Sequence, residues 1–161
     1  MLEVSFNSPQ CGWMSIGFND GVSEFHTTTA HAPHALALSE LLQILTSLIE
    51  GGNLSDSEGA CDVKEYLLKW NRDPEEFDFR FVSDGNDVTI EIYQYPTDER
   101  ESDERELVFS HQGKTRDVCS AFAATFEQLY ADRETDEFEF NWRQPFPFRE
   151  FEDFKNFLTT K

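Results

Sequence analysis

No lysine or arginine occurs before Lys64, so more than a third of the chain carries only acidic or neutral side chains. Over all 161 residues, 13 Lys and Arg stand against 32 Asp and Glu, a formal net charge of −19. Proteins that bind DNA or RNA draw most of their affinity from cations that neutralise phosphates. That deficit argues against nucleic acid, and the same repulsion argues against an anionic membrane surface. Cysteine is also scarce. Cys11, Cys61 and Cys119 are odd in number, widely spaced and form no CxxC pair, so buried thiols in a reducing compartment are expected rather than a disulfide framework. Residues 2–10 lack the basic start and apolar run of a secretory signal, and no apolar stretch reaches the roughly 18 residues needed to span a bilayer. A cytoplasmic protein is the expectation. Nucleotide-binding GxGxxG and P-loop motifs are missing, as are GxSxG and HExxH.

What the chain has in abundance is phenylalanine, 16 residues of it, within an aromatic content of 14%. Each core position therefore removes a large apolar area from water. The length suits a single domain, residues 1–161.

Val4 and Phe6, then Met14, Ile16 and Phe18, alternate with polar or small residues at the period of a strand. Asn19-Asp20-Gly21 predicts a tight turn and Val22 to Thr28 a strand returning along the second. Between Pro33 and Gly51-Gly52, residues Leu38, Leu41, Leu42, Leu45, Leu48 and Ile49 form one helical stripe, widened by Leu36 and Ile44. The proline presets a first turn and the glycines predict a stop. Residues 51–60 read as a polar linker within the domain. Strands are then expected over Asp62 to Trp70, around Phe77, Phe79 and Phe81, around Val88, Ile90 and Ile92, and over Leu107 to His111. Val118, Phe122, Phe126, Leu129 and Tyr130 mark a helix. Phe138, Phe140 and Trp142 suit a short strand or an aromatic arm, and Phe151, Phe154 and Leu158 mark a terminal helix. The expected fold is α+β: one antiparallel sheet of about six or seven strands, a long helix after the N-terminal hairpin, and two C-terminal helices covering one face.

Few constellations carry chemistry. His26, His31 and His34 have the spacing H-x4-H-x2-H, the weak candidate for a zinc or copper site, although no cysteine or aspartate stands beside them. No metal or other cofactor is expected. Cys11, ahead of Gly12, is the least remote nucleophile, with His26 able to approach across the hairpin. A small metal-dependent or Cys/His-dependent hydrolase built on these residues is the alternative function. The acids are too numerous to single out a catalytic pair, and 53–59 resembles a calcium loop only in composition.

The acidic loop at residues 97–106 stands out. It holds two copies of Asp-Glu-Arg-Glu around Ser102, with Asp98, Glu99, Glu101, Asp103 and Glu104 outnumbering Arg100 and Arg105. Such a segment is either ordinary solvated surface or an anionic patch for a cationic partner. Asp132, Glu134, Asp136, Glu137 and Glu139 add to the same field. Trp13, Trp70, Trp142, Phe146 and Phe148 stand near turns or prolines, where contact residues are found as well as core residues.

A small acidic α+β domain without catalytic motifs resembles, in size and charge, bacterial immunity and antitoxin proteins. The resemblance implies stoichiometric neutralisation of a basic toxin and carries no residue roles with it. The leading expectation is a non-enzymatic module that engages a basic protein partner through the acidic loop, with Trp13 and Trp142 as contact residues. An acid-rich surface adapted to high salt is a third reading.

Overall fold

The computed structural model describes residues 1–7, 9–30, 36–54, 63–72, 74–132 and 138–160. Its elements in chain order are β1 (Glu3–Phe6), β2 (Trp13–Asn19), β3 (Glu24–Ala30), α1 (Ala37–Leu54), β4 (Lys64–Asn71), β5 (Glu76–Ser83), β6 (Asp87–Tyr95), β7 (Glu106–Lys114), α2 (Thr115–Asp132), α3 (Phe138–Trp142) and α4 (Phe148–Thr159). The α+β class and the antiparallel pairing agree with the sequence. The single sheet does not: there are two, ordered β1-β2-β3 and β4-β5-β6-β7.

Alternation explains why either arrangement satisfies the pattern. Met14, Ile16 and Phe18 line one side of β2, and Phe77, Phe79 and Phe81 line one side of β5, all buried. Two ribbons with one apolar face each can join edge to edge or stack, and stacking buries both faces at once. Here they stack. The Phe18 ring meets Phe79 edge-on at 5.6 Å and Phe109 at 5.5 Å, while Phe25 lies 5.5 Å from Phe77. β3 crosses the larger sheet obliquely. Asp20, in the turn before it, accepts from His111 Nδ1 of β7 at 3.2 Å, and near its far end Thr29 Oγ1 donates to the Asn71 carbonyl of β4 at 2.8 Å.

The helices fill the rest of the inner side. Leu38, Leu41, Leu42, Leu45, Leu48 and Ile49 are buried as their spacing predicts, and Ile44 is partly buried. Leu36 precedes α1 and is exposed, so it does not widen the stripe. Phe122 of α2 reaches Phe18 at 6.0 Å and Phe81 at 6.2 Å, and Phe126 bridges Phe6 and Phe151. Each such ring removes about 150–250 Å² from water, the main force holding helices to sheet.

Three local expectations fail for identifiable reasons. α1 does not stop at Gly51-Gly52 but runs through them to Leu54, which shortens the expected linker; 55–60 lies outside the described residues, as does Pro33. A Cβ on Gly52 would stand 2.7 Å from the Gly85 carbonyl oxygen, so this glycine serves a close approach to the β5–β6 turn instead of a cap. Phe138 to Trp142 is a helical turn, with Phe138 and Trp142 on its buried side and Phe140 outside. Cys119 is a buried thiol, held up at about 12 by burial, but Cys11 is exposed at a turn with φ of 52°. Cys61 lies outside the described residues. No helix among the described residues is long and apolar enough to cross a membrane.

Candidate protein-binding face

The side of the larger sheet that faces away from the core carries β5 residues Glu76, Asp78, Arg80 and Val82 alternating with the buried phenylalanines. Register places Glu76 beside Tyr95, Asp78 beside Tyr93 and Arg80 beside Glu91 on β6, and Leu67 of β4 beside Arg80. Arg80 forks onto Glu65 through Nε and Nη2, both at 2.8 Å, and its Nη1 donates to Glu91 Oε2 at 2.5 Å. One guanidinium thus ties three strands together. Hydrogen bonds from Glu65 and then Glu91 raise the pKa of Arg80, and the same contact lowers that of Glu65. Paired cross-strand charges of this kind contribute a few tenths of a kcal/mol each, on the order of 0.2–1.

The segment between β6 and β7 folds back onto this face. Arg100 adopts a left-handed backbone, φ 53°, with its N–H on the Thr97 carbonyl at 3.3 Å. Its Nη1 donates to Glu76 Oε2 at 2.6 Å, its Nη2 donates to Asp78 Oδ1, and its guanidinium stacks 4.5 Å from the centre of the Tyr95 ring. Tyr95 completes the cluster by donating its hydroxyl to Asp78 Oδ2 at 3.0 Å. The Asp78 side chain is only 9% exposed, and a carboxylate in that setting requires a cation beside it. Burial works against the charge of Arg100, but the bonds to Glu76 and Asp78 outweigh it and its pKa is raised. Arg105 turns the same way, lying 4.5 Å over the Tyr93 ring.

Both arginines of the segment are therefore turned inward. Asp98, Glu99, Glu101, Asp103 and Glu104 remain exposed and form no ion pair among the described residues. The result is an anionic ledge on a fixed footing, bordering a sheet face on which Leu67 and Leu107 are each about half exposed. Glu76, Asp78 and Tyr95, which hold the ledge, escaped the sequence reading. Their only signal was a carboxylate on the outward side of a phenylalanine strand, and its pairing with an arginine in a later loop is a tertiary fact.

The other expected site residues separate. Trp13 lies on the outer side of the smaller sheet, 43% exposed, in a separate cleft with Asn7, Gln10, Ser15 and Thr28. Trp142 is 1% exposed and packs in the core, so it cannot be a contact residue; the i, i+4 spacing with Phe138 carries it inward on α3. Trp70 is buried too, stacked on Phe79 at 5.3 Å, while Phe148 is exposed and Phe146 partly buried beside Tyr130. His26 projects outward from β3 with Nε2 2.6 Å from Glu24 Oε1. His31, His34, Glu134, Asp136 and Glu137 lie outside the described residues. No group of three His, Cys, Asp or Glu among the described residues is arranged to hold a metal. Cys11 sits beyond Trp13, and His26 pairs with Gly17 four residues further along β2. At about 3.4 Å per residue they are separated by at least roughly 13 Å, too far for a thiol and its base.

No protein-family model matches the chain, and comparison with curated proteins and with solved structures gives no match either.

Proposed function

We propose that this chain is a non-enzymatic binding module that captures a basic protein on its outer sheet face. The observation that carries the reading is the inward anchoring of Arg100 and Arg105, which leaves the ledge carboxylates fixed and without cations of their own. A mobile acidic loop would have to be ordered on binding, at a cost in entropy; one already held by Arg100 loses little further freedom. Leu67 and Leu107 offer apolar contact next to it, and the −19 charge of the whole molecule draws basic partners toward every face. A basic toxin neutralised one to one is the partner class that fits this surface.

The test begins with affinity capture from lysate at low and high salt, followed by stopped-flow measurement on the partner so identified. Neutralising Asp98, Glu99, Asp103 and Glu104 together to Asn or Gln should slow association by about tenfold at low salt, with dissociation little changed. The wild-type rate should fall as ionic strength rises and the Debye length shrinks below about 8 Å. A partner whose association rate ignores both salt and the quadruple change would overturn the proposal.

A further inference from the structure

A second feature lies at the edge of the other sheet. A cleft of about 720 Å³ opens between β1 and α2 and extends over Gly17 to His26. That volume is within the roughly 300–1,000 Å³ of small-molecule sites. Its chemistry is divided. Leu2, Phe18, Ala121 and Ala124 supply apolar wall, while the charged groups that line it are Glu3, Glu24 and Asp117 with His26, and neither lysine nor arginine is among them. Glu3 and Glu24 both pair with Asn19, one from each side, so the register sets them in one row across the three strands.

Gly17 makes the middle of this surface. It pairs with Ser5 on one side and His26 on the other, and a Cβ there would collide with the His26 ring and lie 2.8 Å from Ser5 Oγ. Without a side chain at that position, the imidazole lies down over the strand and its Nε2 meets Glu24. The row of carboxylates and the apolar wall are thereby left on opposite sides of one opening.

We propose that this cleft binds a small organic cation, a primary ammonium carried on an apolar stem. The ammonium sits among Glu3, Glu24 and Asp117, and the stem lies along Leu2, Phe18 and the alanines of α2. An anionic ligand would be repelled by three carboxylates with no lysine or arginine to offset them. A neutral one would gain the wall contacts but leave the carboxylates facing solvent, so charge is what discriminates. The site is distinct from the acidic ledge and does not depend on the protein-binding reading.

The probe is n-hexylammonium, compared with 1-hexanol and hexanoate, which share its stem and differ in charge. Amide resonances are followed by NMR at constant ionic strength. Hexylammonium should bind saturably and move Gly17, Ser120, Ala121 and Ala124, with 1-hexanol about tenfold weaker and hexanoate without effect. Glu3→Gln with Glu24→Gln, both at exposed strand positions, should weaken hexylammonium by about fivefold to tenfold and leave 1-hexanol unchanged. The quadruple ledge variant should not alter hexylammonium binding. Equal affinity for the amine and the alcohol would reduce the cleft to an apolar crevice. Equal loss in the two variants would mean that overall charge, and not the cleft, attracts the amine, and the absence of saturable shifts would remove the site. Each of these overturns the proposal.

Discussion

Arg100 and Asp78 meet across the junction of a surface loop and a strand, 22 residues apart in sequence, with the Tyr95 hydroxyl on the other oxygen of the same carboxylate. Removing the cation strands a nearly buried charge. Arg100→Ala should therefore cost about 3 kcal/mol in chemical denaturation, the scale of a broken buried pair. Arg100→Lys should recover only part of it, because an ammonium cannot fork between Glu76 and Asp78. Faster amide exchange over 97–104 in Arg100→Ala would show that this residue holds the ledge; unchanged exchange would show that it does not.

The two glycines at the end of α1 should respond in opposite ways. Gly51 has only Lys64 Nζ near its missing Cβ, at 3.8 Å, so Gly51→Ala should stabilise by about 0.5–1 kcal/mol through helix propensity. Gly52→Ala drives a methyl into the Gly85 carbonyl and should destabilise by about 1–3 kcal/mol. Thermal and urea midpoints of the pair measure the difference, and equal shifts would disprove the close approach.

Leu42 is fully buried on the inner side of α1. Leu42→Ala should lower stability by about 2–5 kcal/mol, and a loss well below 1 kcal/mol would mean that the surroundings collapse into the space.

Asp20 should make acid stability depend on the β2–β3 turn. Its carboxylate accepts from the backbone N–H groups of Ser23 and Val22 and faces His111, and its pKa falls from 3.8 to about 2. A lowered folded-state pKa means that the stabilisation is complete above 3.8 and is lost as pH falls through about 2. Asp20→Asn should flatten the stability profile in that window. Direct titration of the Asp20 side-chain carbon by NMR should give a midpoint near 2, and an ordinary carboxylate midpoint would contradict the hydrogen bonding.

Periods of two and of three to four residues were enough to place seven strands, α1, α2 and α4, because burial on one side is a local property of the chain. Leu42, Phe79 and Phe122 could be assigned to the core on spacing alone. Charge was legible in the same way, since a segment such as 98–104 cannot bury itself. Three decisions needed the folded molecule. Whether the phenylalanine ribbons join or stack depends on which apolar faces meet, and no residue within either ribbon records that. Trp142 and Trp13 both stand near chain breaks, yet one turns inward with Phe138 and the other outward from β2, because neighbours distant in sequence set the room available to each. Arg100 looked like a charge diluted in an acidic loop and is instead what holds the loop, because a carboxylate desolvated between strands draws in the cation that long-range folding puts within reach.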